Sequence, residues 1–207
     1  MSETSSEEPA GIPEQVFLRA LGMILKPAKN FRLAVNDTVT FTVLYVLILI
    51  GVFGILYSVY LSRFVFFMMS TTFMLIIIRM LVQMIASFLL QTAWLHLWVY
   101  ALGGRQGVKN TLRTVAYSMT PMLLIGWLMP VGMIVAVPWV FVLEVLGVHE
   151  LHGLPVARAI LAVILPVVVA LGVLVVFLMY TDPIGFAQLI ATLSGTGNAG
   201  SLSGYSY

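Results

Sequence analysis

Long apolar runs alternate with short polar connections over most of this chain. The first run, Val39–Leu61, contains no charged residue and is long enough for a membrane span, which needs about 20 helical residues. The next run, residues 64–102, is interrupted only by Arg79 and is too long for a single span. We predict a second span over residues 80–102, with Arg79 near the outer boundary and residues 64–78 at the outer surface or folded partly back into the membrane. Two spans within residues 64–102 are the alternative.

The second half of the chain predicts three further spans. Residues 115–129 and 131–148 form two apolar segments that meet at Pro130 without a polar loop, which is typical of a tight helical hairpin. The last run, residues 156–180, is the fifth predicted span. Proline removes a backbone donor inside a helix, so a kink is expected wherever it occurs within a span. One proline lies in each of these segments: Pro121, Pro138 and Pro166.

The chain before the first span has a different pattern. Residues 1–11 are rich in Ser, Glu and Pro and predict disorder. Across residues 12–26 apolar side chains recur at helical spacing, which predicts an amphipathic helix that Pro27 ends or kinks. Either this helix lies on an anionic leaflet, with nearby lysine and arginine side chains attracted to it, or it packs under the bundle with its charges in solvent. The two interpretations are compatible.

These elements predict an all-α fold: a polytopic membrane helix bundle of five transmembrane helices with an N-terminal amphipathic helix. Residues 1–38 would comprise a disordered N-terminus and the cytoplasmic amphipathic helix, and residues 39–180 would form the transmembrane domain. Residues 181–207 would be a flexible tail, because their end is rich in Gly and Ser.

The distribution of lysine and arginine predicts the orientation of the bundle. With the N-terminus inside, eight basic residues lie in inner segments, and Arg63 and Arg79 lie in outer ones. Basic residues next to spans are retained on the cytoplasmic side, so we expect the N-terminus in the cytoplasm and the C-terminus outside. The predicted basic inner surface consists of Lys26, Lys29, Arg32, Arg105, Lys109, Arg113 and Arg158.

Composition supports the membrane assignment and excludes other classes of protein. Of the 207 residues, 61% are hydrophobic and only 9% are charged, against about 25% charged in soluble domains. The ten basic residues form no stripe suited to phosphates, so no nucleic acid is expected as a partner. Without cysteine there is no disulfide and no thiolate metal site. The acidic N-terminus does not resemble a cleavable signal peptide.

One group of polar residues falls at the predicted inner ends of the spans: His96, Glu144, His149, Glu150 and His152. Imidazole and carboxylate groups bind metals, but His-Glu-Leu-His lacks the i, i+4 spacing of the metalloprotease motif. We therefore favour a solvated interfacial turn and predict no metal and no cofactor. Glu144 is different, because a carboxylate within an apolar segment is costly to bury without a partner. We expect it to face the bundle interior or the inner surface, paired with Arg113, Arg105 or His96.

Other motifs give no support for catalysis. No Gly-x-Ser-x-Gly elbow surrounds Ser118, and no Asp is available near His96 to orient it. The glycines after residue 102 are not followed by Gly-Lys-Ser/Thr, and they indicate a helix end with a turn. Asn36-Asp37-Thr38 fits a glycosylation sequon, but its predicted inner location argues against use. We predict that the protein is not an enzyme.

Three stretches of the chain resemble the Yip domain family of small polytopic membrane proteins, in its prokaryotic-type branch. They are Leu-Lys-Pro-Ala-Lys-Asn-Phe-Arg at residues 25–32, the segment from Leu-Gly-Gly-Arg-Gln-Gly to Tyr-Ser-Met-Thr-Pro at residues 102–121, and Leu-Gly-Val-His-Glu-Leu-His-Gly-Leu-Pro-Val-Ala-Arg-Ala at residues 146–159. The resemblance implies five spans, a cytoplasmic N-terminus and location in a prokaryotic cell membrane. The eukaryotic branch is associated with vesicle trafficking and an Asp-Leu-Tyr-Gly-Pro motif, which is absent here, so binding to small GTPases is not carried over.

The sequence supports three hypotheses for function, in order of preference. The first is a non-enzymatic membrane-organising scaffold or accessory subunit, with the lipid bilayer and other membrane proteins, or a second copy of itself, as partners. The second is a transporter or transporter subunit, suggested by the prolines within spans and by Glu144 near the inner end. The third is an intramembrane metal-dependent enzyme that uses the histidine cluster.

Overall fold

The computed structural model describes residues 11–62 and 71–194, and within these ranges the regular structure is entirely α-helical. The helices are α1 Ile12–Leu25, α2 Pro27–Ala34, α3 Val39–Ser62, α4 Thr71–Ala101, α5 Val108–Ser118, α6 Thr120–Ile125, α7 Val131–His152, α8 Val156–Thr181 and α9 Pro183–Leu193. The predicted all-α class is confirmed. The predicted disorder of residues 1–10, the outer position of Arg63 and the Gly/Ser-rich end of the tail lie outside the described residues.

Within the described residues, four helices are long and apolar enough to cross a membrane: Val39–Leu61, Met74–Ala101, Val131–His152 and Val156–Thr181. The chain is therefore an integral membrane protein. The segment predicted as the third span, residues 115–129, is not one long helix, because α5 ends at Ser118 and α6 begins at Thr120. Pro121 has no N–H to donate to the Tyr117 carbonyl, and that carbonyl instead accepts a hydrogen bond from the Thr120 hydroxyl at 2.6 Å.

The helix predicted as the second span is longer than expected. It begins at Thr71, so the part of residues 64–78 that the structure describes is helical and continuous with the span, and Arg79 lies within the candidate span. No Gly or Pro interrupts the sequence between residues 71 and 101, so nothing in this stretch breaks the helix. At 1.5 Å per residue, a 28-residue candidate span is about 42 Å long, which exceeds a hydrocarbon core of about 30 Å.

The helix predicted over residues 12–26 is present as α1, and Pro27 separates it from α2. One side of α1 is buried through Val16, Ala20 and Met23, which are spaced at i, i+4 and i+7. Close packing between α1 and α2 depends on Gly22, since a Cβ at this position would come 2.4 Å from the Asn30 Oδ1 atom. The first two helices thus form a tight pair before the first span.

The chain divides into two compact units, and the first extends to Val163. Its core is organised around α5, which packs against α3, α4 and α7. Tyr117 on α5 makes edge-to-face contacts with Tyr45 and Phe31, whose ring centroids lie 5.0 and 6.5 Å away. Gly147 lets α7 approach this cluster, because a Cβ there would lie 2.7 Å from Thr114 and 2.9 Å from Phe31. These contacts hold the C-terminal end of α7 beside α2 and α5.

The second unit begins at Ile164 and contains the rest of α8 together with α9. Asp182 is the N-cap residue before α9, and its carboxylate accepts a hydrogen bond from the Gly185 N–H at 2.9 Å. Helix α9 occupies the first part of the segment predicted as a tail. The prolines predicted inside the later spans lie within helices, Pro138 in α7 and Pro166 in α8.

Candidate functional site

The last turns of α7, the start of α5 and the end of α4 meet at one end of the first unit. Gly103 and Gly107 turn the chain between α4 and α5, with φ values of 101° and 82° that glycine adopts without strain. The Asn110 side chain then donates a hydrogen bond to the Leu151 carbonyl at 2.9 Å, which ties the first turn of α5 to the end of α7. Four of the five predicted polar site residues lie on α7.

Two of the predicted histidines meet through a threonine. His96 Nδ1 lies 2.8 Å from the Thr111 hydroxyl, and the same hydroxyl lies 3.1 Å from His152 Nε2. A hydroxyl both donates and accepts, so Thr111 can serve the two rings at once. The other nitrogen of the buried His152 ring, Nδ1, has no hydrogen-bond partner within the described part of the chain. These contacts join α4, α5 and α7 through one hydrogen-bonded network, His96–Thr111–His152.

His149 takes no part in that hydrogen-bonded network. Its Nδ1 atom donates a hydrogen bond to the Leu154 carbonyl at 2.6 Å, across the turn that follows α7. The turn passes through Gly153, which has the left-handed conformation typical of a helix C-terminus. His149 therefore closes the end of its own helix.

Glu144 is buried, with 6% of its surface exposed, and faces the bundle interior as expected. Its partner was predicted wrongly: the carboxylate accepts a hydrogen bond from Gln91 Nε2 at 2.5 Å, and Arg113, Arg105 and His96 have other partners. Gln91 precedes Glu144 by 53 residues, and only the folded structure shows that the two side chains meet. An amide donor in place of a cation leaves the carboxylate without a compensating positive charge.

Glu150 forms an ion pair with Arg32. The guanidinium donates two hydrogen bonds to the carboxylate, from Nε at 2.9 Å and from Nη2 at 3.0 Å, so that α2 is joined to the end of α7. Hydrogen bonding to the carboxylate, together with the attraction between the charges, raises the pKa of Arg32. The guanidinium is largely exposed, and we expect the pair to orient α2 more than it stabilises the fold.

The five predicted residues thus divide into four separate contacts. Among the described residues, no three His, Asp or Glu side chains are grouped closely enough to hold a metal ion. The structure brings His96 and His152 together and keeps Glu144, His149 and Glu150 apart from them.

Asp37, which accepts hydrogen bonds from three side chains, was not among the predicted site residues. Its carboxylate accepts hydrogen bonds from Arg19 on α1 at 2.6 Å and from the Tyr117 hydroxyl at 2.5 Å. Its backbone carbonyl accepts a further hydrogen bond from Arg113. A cavity of about 470 Å³ opens beside it, lined by residues that include Arg19, Asn30 and Asn36. The sequence signal that could have identified Asp37 was an acidic residue shortly before a span, together with an arginine in the helix predicted over residues 12–26.

The family is shown by a comparison with known proteins. The Yip1 domain model matches residues 21–178, which is most of the chain. This chain belongs to the Yip1 domain family. No curated protein and no solved structure matches it significantly. The resemblance seen in the sequence is confirmed, and the prokaryotic-type branch stays a prediction. Yip1 domain proteins are a family of non-enzymatic membrane proteins.

The basic residues of this Yip1 domain gather at the end where α4, α5 and α7 meet. Arg105 lies over the Tyr100 ring, with its Cζ atom 3.8 Å from the ring centroid. Arg158, at the start of α8, lies beside Gly103. Lys109 is exposed in the first turn of α5, whereas Arg113 is half-buried and donates to the Asn110 side chain at 2.7 Å. Lys26 and Lys29 are exposed around the start of α2, which Arg32 joins to α7.

Proposed function

We propose that this Yip1 domain protein is a non-enzymatic membrane-organising scaffold or accessory subunit that docks another membrane protein, or a second copy of itself, along one face of α4. The face is defined by Gln83, Ala86, Ser87, Leu90 and Ala93, which are all exposed. It lies opposite the buried seam of the same helix, which is formed by Phe88, Thr92, Leu95 and Val99.

Gln83 is the observation that supports this proposal most directly. A hydrocarbon core of about 30 Å centred on Met74–Ala101 covers about 20 residues and includes Gln83. Its side-chain amide has no hydrogen-bond partner among the residues that the structure describes. An amide that faces lipid without a partner is costly, and polar side chains in spans hydrogen-bond across helix interfaces. A second helix seated on this face would provide the missing partner.

The rest of the face suits a helix. Ala86, Ser87 and Ala93 are small, and small residues let the backbones of membrane helices approach closely. Only 6% of the most apolar stretch of Met74–Ala101 is buried within the chain, against 33% for Val39–Leu61. Helix α4 therefore has more surface free for a partner than the first candidate span has.

The proposal includes five membrane crossings with the N-terminus in the cytoplasm, in which α5 and α6 together form the third crossing. Support comes from the Asn110 to Leu151 hydrogen bond, which joins the start of α5 to the end of α7. Since α7 has the length of a full span, its start at Val131 is expected on the opposite side of the membrane, and the chain from Val108 must cross to reach it. The basic residues at the α5 end then favour the cytoplasm for that side.

Crosslinking from a single cysteine tests the docking face, because the protein contains no cysteine of its own. The experiment places a cysteine at Ala93, attaches a short photoreactive crosslinker and irradiates native membranes. We expect a defined membrane-protein adduct from Ala93→Cys and its loss when Gln83→Leu is added. The matched control is Ile55→Cys on α3, which is also exposed. Equal adducts from both positions, or adducts that survive Gln83→Leu, would overturn the proposal.

Glu144 favours transport as a second candidate function. A buried carboxylate whose only described partner is an amide is a feature of residues that take up protons or bind cations within membranes. Flux of protons or cations into liposomes containing the purified protein, abolished by Glu144→Gln, would support this function. The control is Glu150→Gln, which alters an exposed ion pair on the same helix. Equal flux in empty liposomes and protein-containing liposomes would exclude transport of these ions.

A further inference from the structure

A crevice of about 330 Å³ lies between α1 and α2, on the chain that leads into the first span. Its apolar lining comes from Leu18, Leu21, Leu25 and Leu33, and its basic lining from Lys26 and Lys29. The crevice ends only a few residues before α3 begins at Val39. For a helix that crosses the membrane from Val39, this is the level of the lipid headgroups.

The two lysines of the crevice have no acidic partner among the described residues. The same helices contain two arginines that are paired: Arg19 with Asp37 at 2.6 Å, and Arg32 with Glu150 at 2.9 Å. Lys26 and Lys29 therefore place two uncompensated positive charges within one turn of each other. An anion bound between them would meet no competing carboxylate from the described part of this surface.

The leucines beside these charges are exposed. Leu25 exposes 66% of its surface, Leu18 54% and Leu33 49%. Leu21 also lines an apolar groove of about 280 Å³, which runs between α1 and α3 and contains Phe17 and Val52. A hydrocarbon chain of a bound ligand that leaves the crevice over Leu21 would meet a second apolar surface along the first span.

We propose that this crevice binds one phospholipid with an anionic headgroup. The phosphodiester lies between the ammonium groups of Lys26 and Lys29, and an acyl chain follows Leu21 and Leu25 toward the groove beside α3. A phosphate suits a pair of lysines because each ammonium is a compact charge with three donors. Free phosphate would leave the leucines exposed, whereas a lipid covers them as well. The site is separate from the docking face on α4 and does not depend on it.

The binding experiment uses the full-length protein in an uncharged detergent, titrated with dioleoyl phosphatidylglycerol and, separately, with dioleoyl phosphatidylcholine. Native mass spectrometry counts the lipids retained by each chain. We expect one retained phosphatidylglycerol and weaker retention of phosphatidylcholine. Lys26→Gln with Lys29→Gln should weaken phosphatidylglycerol binding about 25-fold, because each basic side chain near an anionic headgroup contributes about a factor of five.

The matched control removes two basic residues outside the crevice, Lys109→Gln with Arg158→Gln, and should leave the affinity unchanged. Leu25→Asn tests the apolar part and should weaken both lipids, while glycerol phosphate should not displace the bound lipid. Equal retention of the two lipids, an equal loss in the control pair, or full displacement by glycerol phosphate would each overturn the proposal. Crosslinking at Ala93 reports on the docking face alone, so either idea can fail without the other.

Discussion

The Tyr117 hydroxyl donates a hydrogen bond of 2.5 Å to the carboxylate of Asp37, although 80 residues separate the two along the chain. The same carboxylate forms an ion pair with Arg19 on α1 at 2.6 Å, and both side chains of that pair are mostly buried. One side chain before the first span therefore joins the N-terminal helix to the helix at the centre of the core.

Replacing Asp37 by alanine should destabilise the protein markedly. The change leaves the Arg19 guanidinium and the Tyr117 hydroxyl without their acceptor, and breaking a mostly buried ion pair costs about 3 kcal/mol. Thermal or denaturant unfolding in detergent measures the effect. The control is Asp182→Ala, which removes only the N-cap of α9 and should cost about 1 kcal/mol. Equal effects of the two substitutions would mean that Asp37 does not join α1 to the core.

Packing at Gly147 provides a second prediction. A Cβ at this position would come within 3 Å of both Thr114 and Phe31, so Gly147→Ala should push α7 away from α5 and α2 at a cost of about 1 to 3 kcal/mol. Gly51 is the matched control, because a Cβ there would meet nothing within 4 Å. We expect Gly51→Ala to be neutral or stabilising by up to about 1 kcal/mol, since alanine favours helices. Measured unfolding that ranks the two substitutions in the opposite order would contradict this packing.

The helical class could be predicted from the sequence for a simple physical reason. A run such as Val39–Leu61 has no charge, and inside a membrane its backbone must satisfy its own hydrogen bonds, which a helix does. This rule applies to one apolar run at a time, so it does not predict where a helix breaks. The break at Met119 depends on which group replaces the donor that Pro121 lacks, and hydropathy does not contain that information. The start of α4 was predicted too late in the sequence, because a charged residue at Arg79 indicated a membrane boundary. The helix instead begins at Thr71 and continues through Arg79.

The candidate site was less predictable, because it depends on how helices are rotated against each other. The pattern predicted that Glu144 faces the bundle interior or the inner surface, since an isolated carboxylate on a lipid-facing surface is costly. It did not identify Gln91 as the partner, because a neutral amide gives no charge signal in the sequence and only the rotation of the helices brings it to the carboxylate. Asp37 was overlooked because its three donors come from α1 and α5, which are far apart in the sequence.

The Arg32–Glu150 pair predicts charge-swap behaviour. Arg32→Glu places two carboxylates together and should loosen the contact between α2 and α7, while adding Glu150→Arg should restore it. Limited proteolysis of the segment before Val39 reports on the release of α2. Because the guanidinium is largely exposed, we expect the difference to shrink as the salt concentration rises toward 1 M, where the screening length is about 3 Å. A double variant as sensitive to proteolysis as Arg32→Glu alone would argue against a direct pair.

Membrane topology can be tested with single cysteines, since the natural chain has none. Five crossings with a cytoplasmic N-terminus put Lys109 and Tyr207 on opposite sides of the membrane. In intact cells, an impermeant maleimide should label Tyr207→Cys and spare Lys109→Cys, and permeabilisation should expose the second position. Lys26→Cys is the internal check, because α2 is joined to the end of α7 by Arg32 and should behave like Lys109→Cys.

Labelling of Lys109→Cys and Tyr207→Cys from the same side would require an even number of crossings between them, and α7 and α8 would then be the only full crossings after α4. In that case α5 and α6 would enter the membrane and return, and the basic residues at the α5 end would no longer mark the same side as the end of α7.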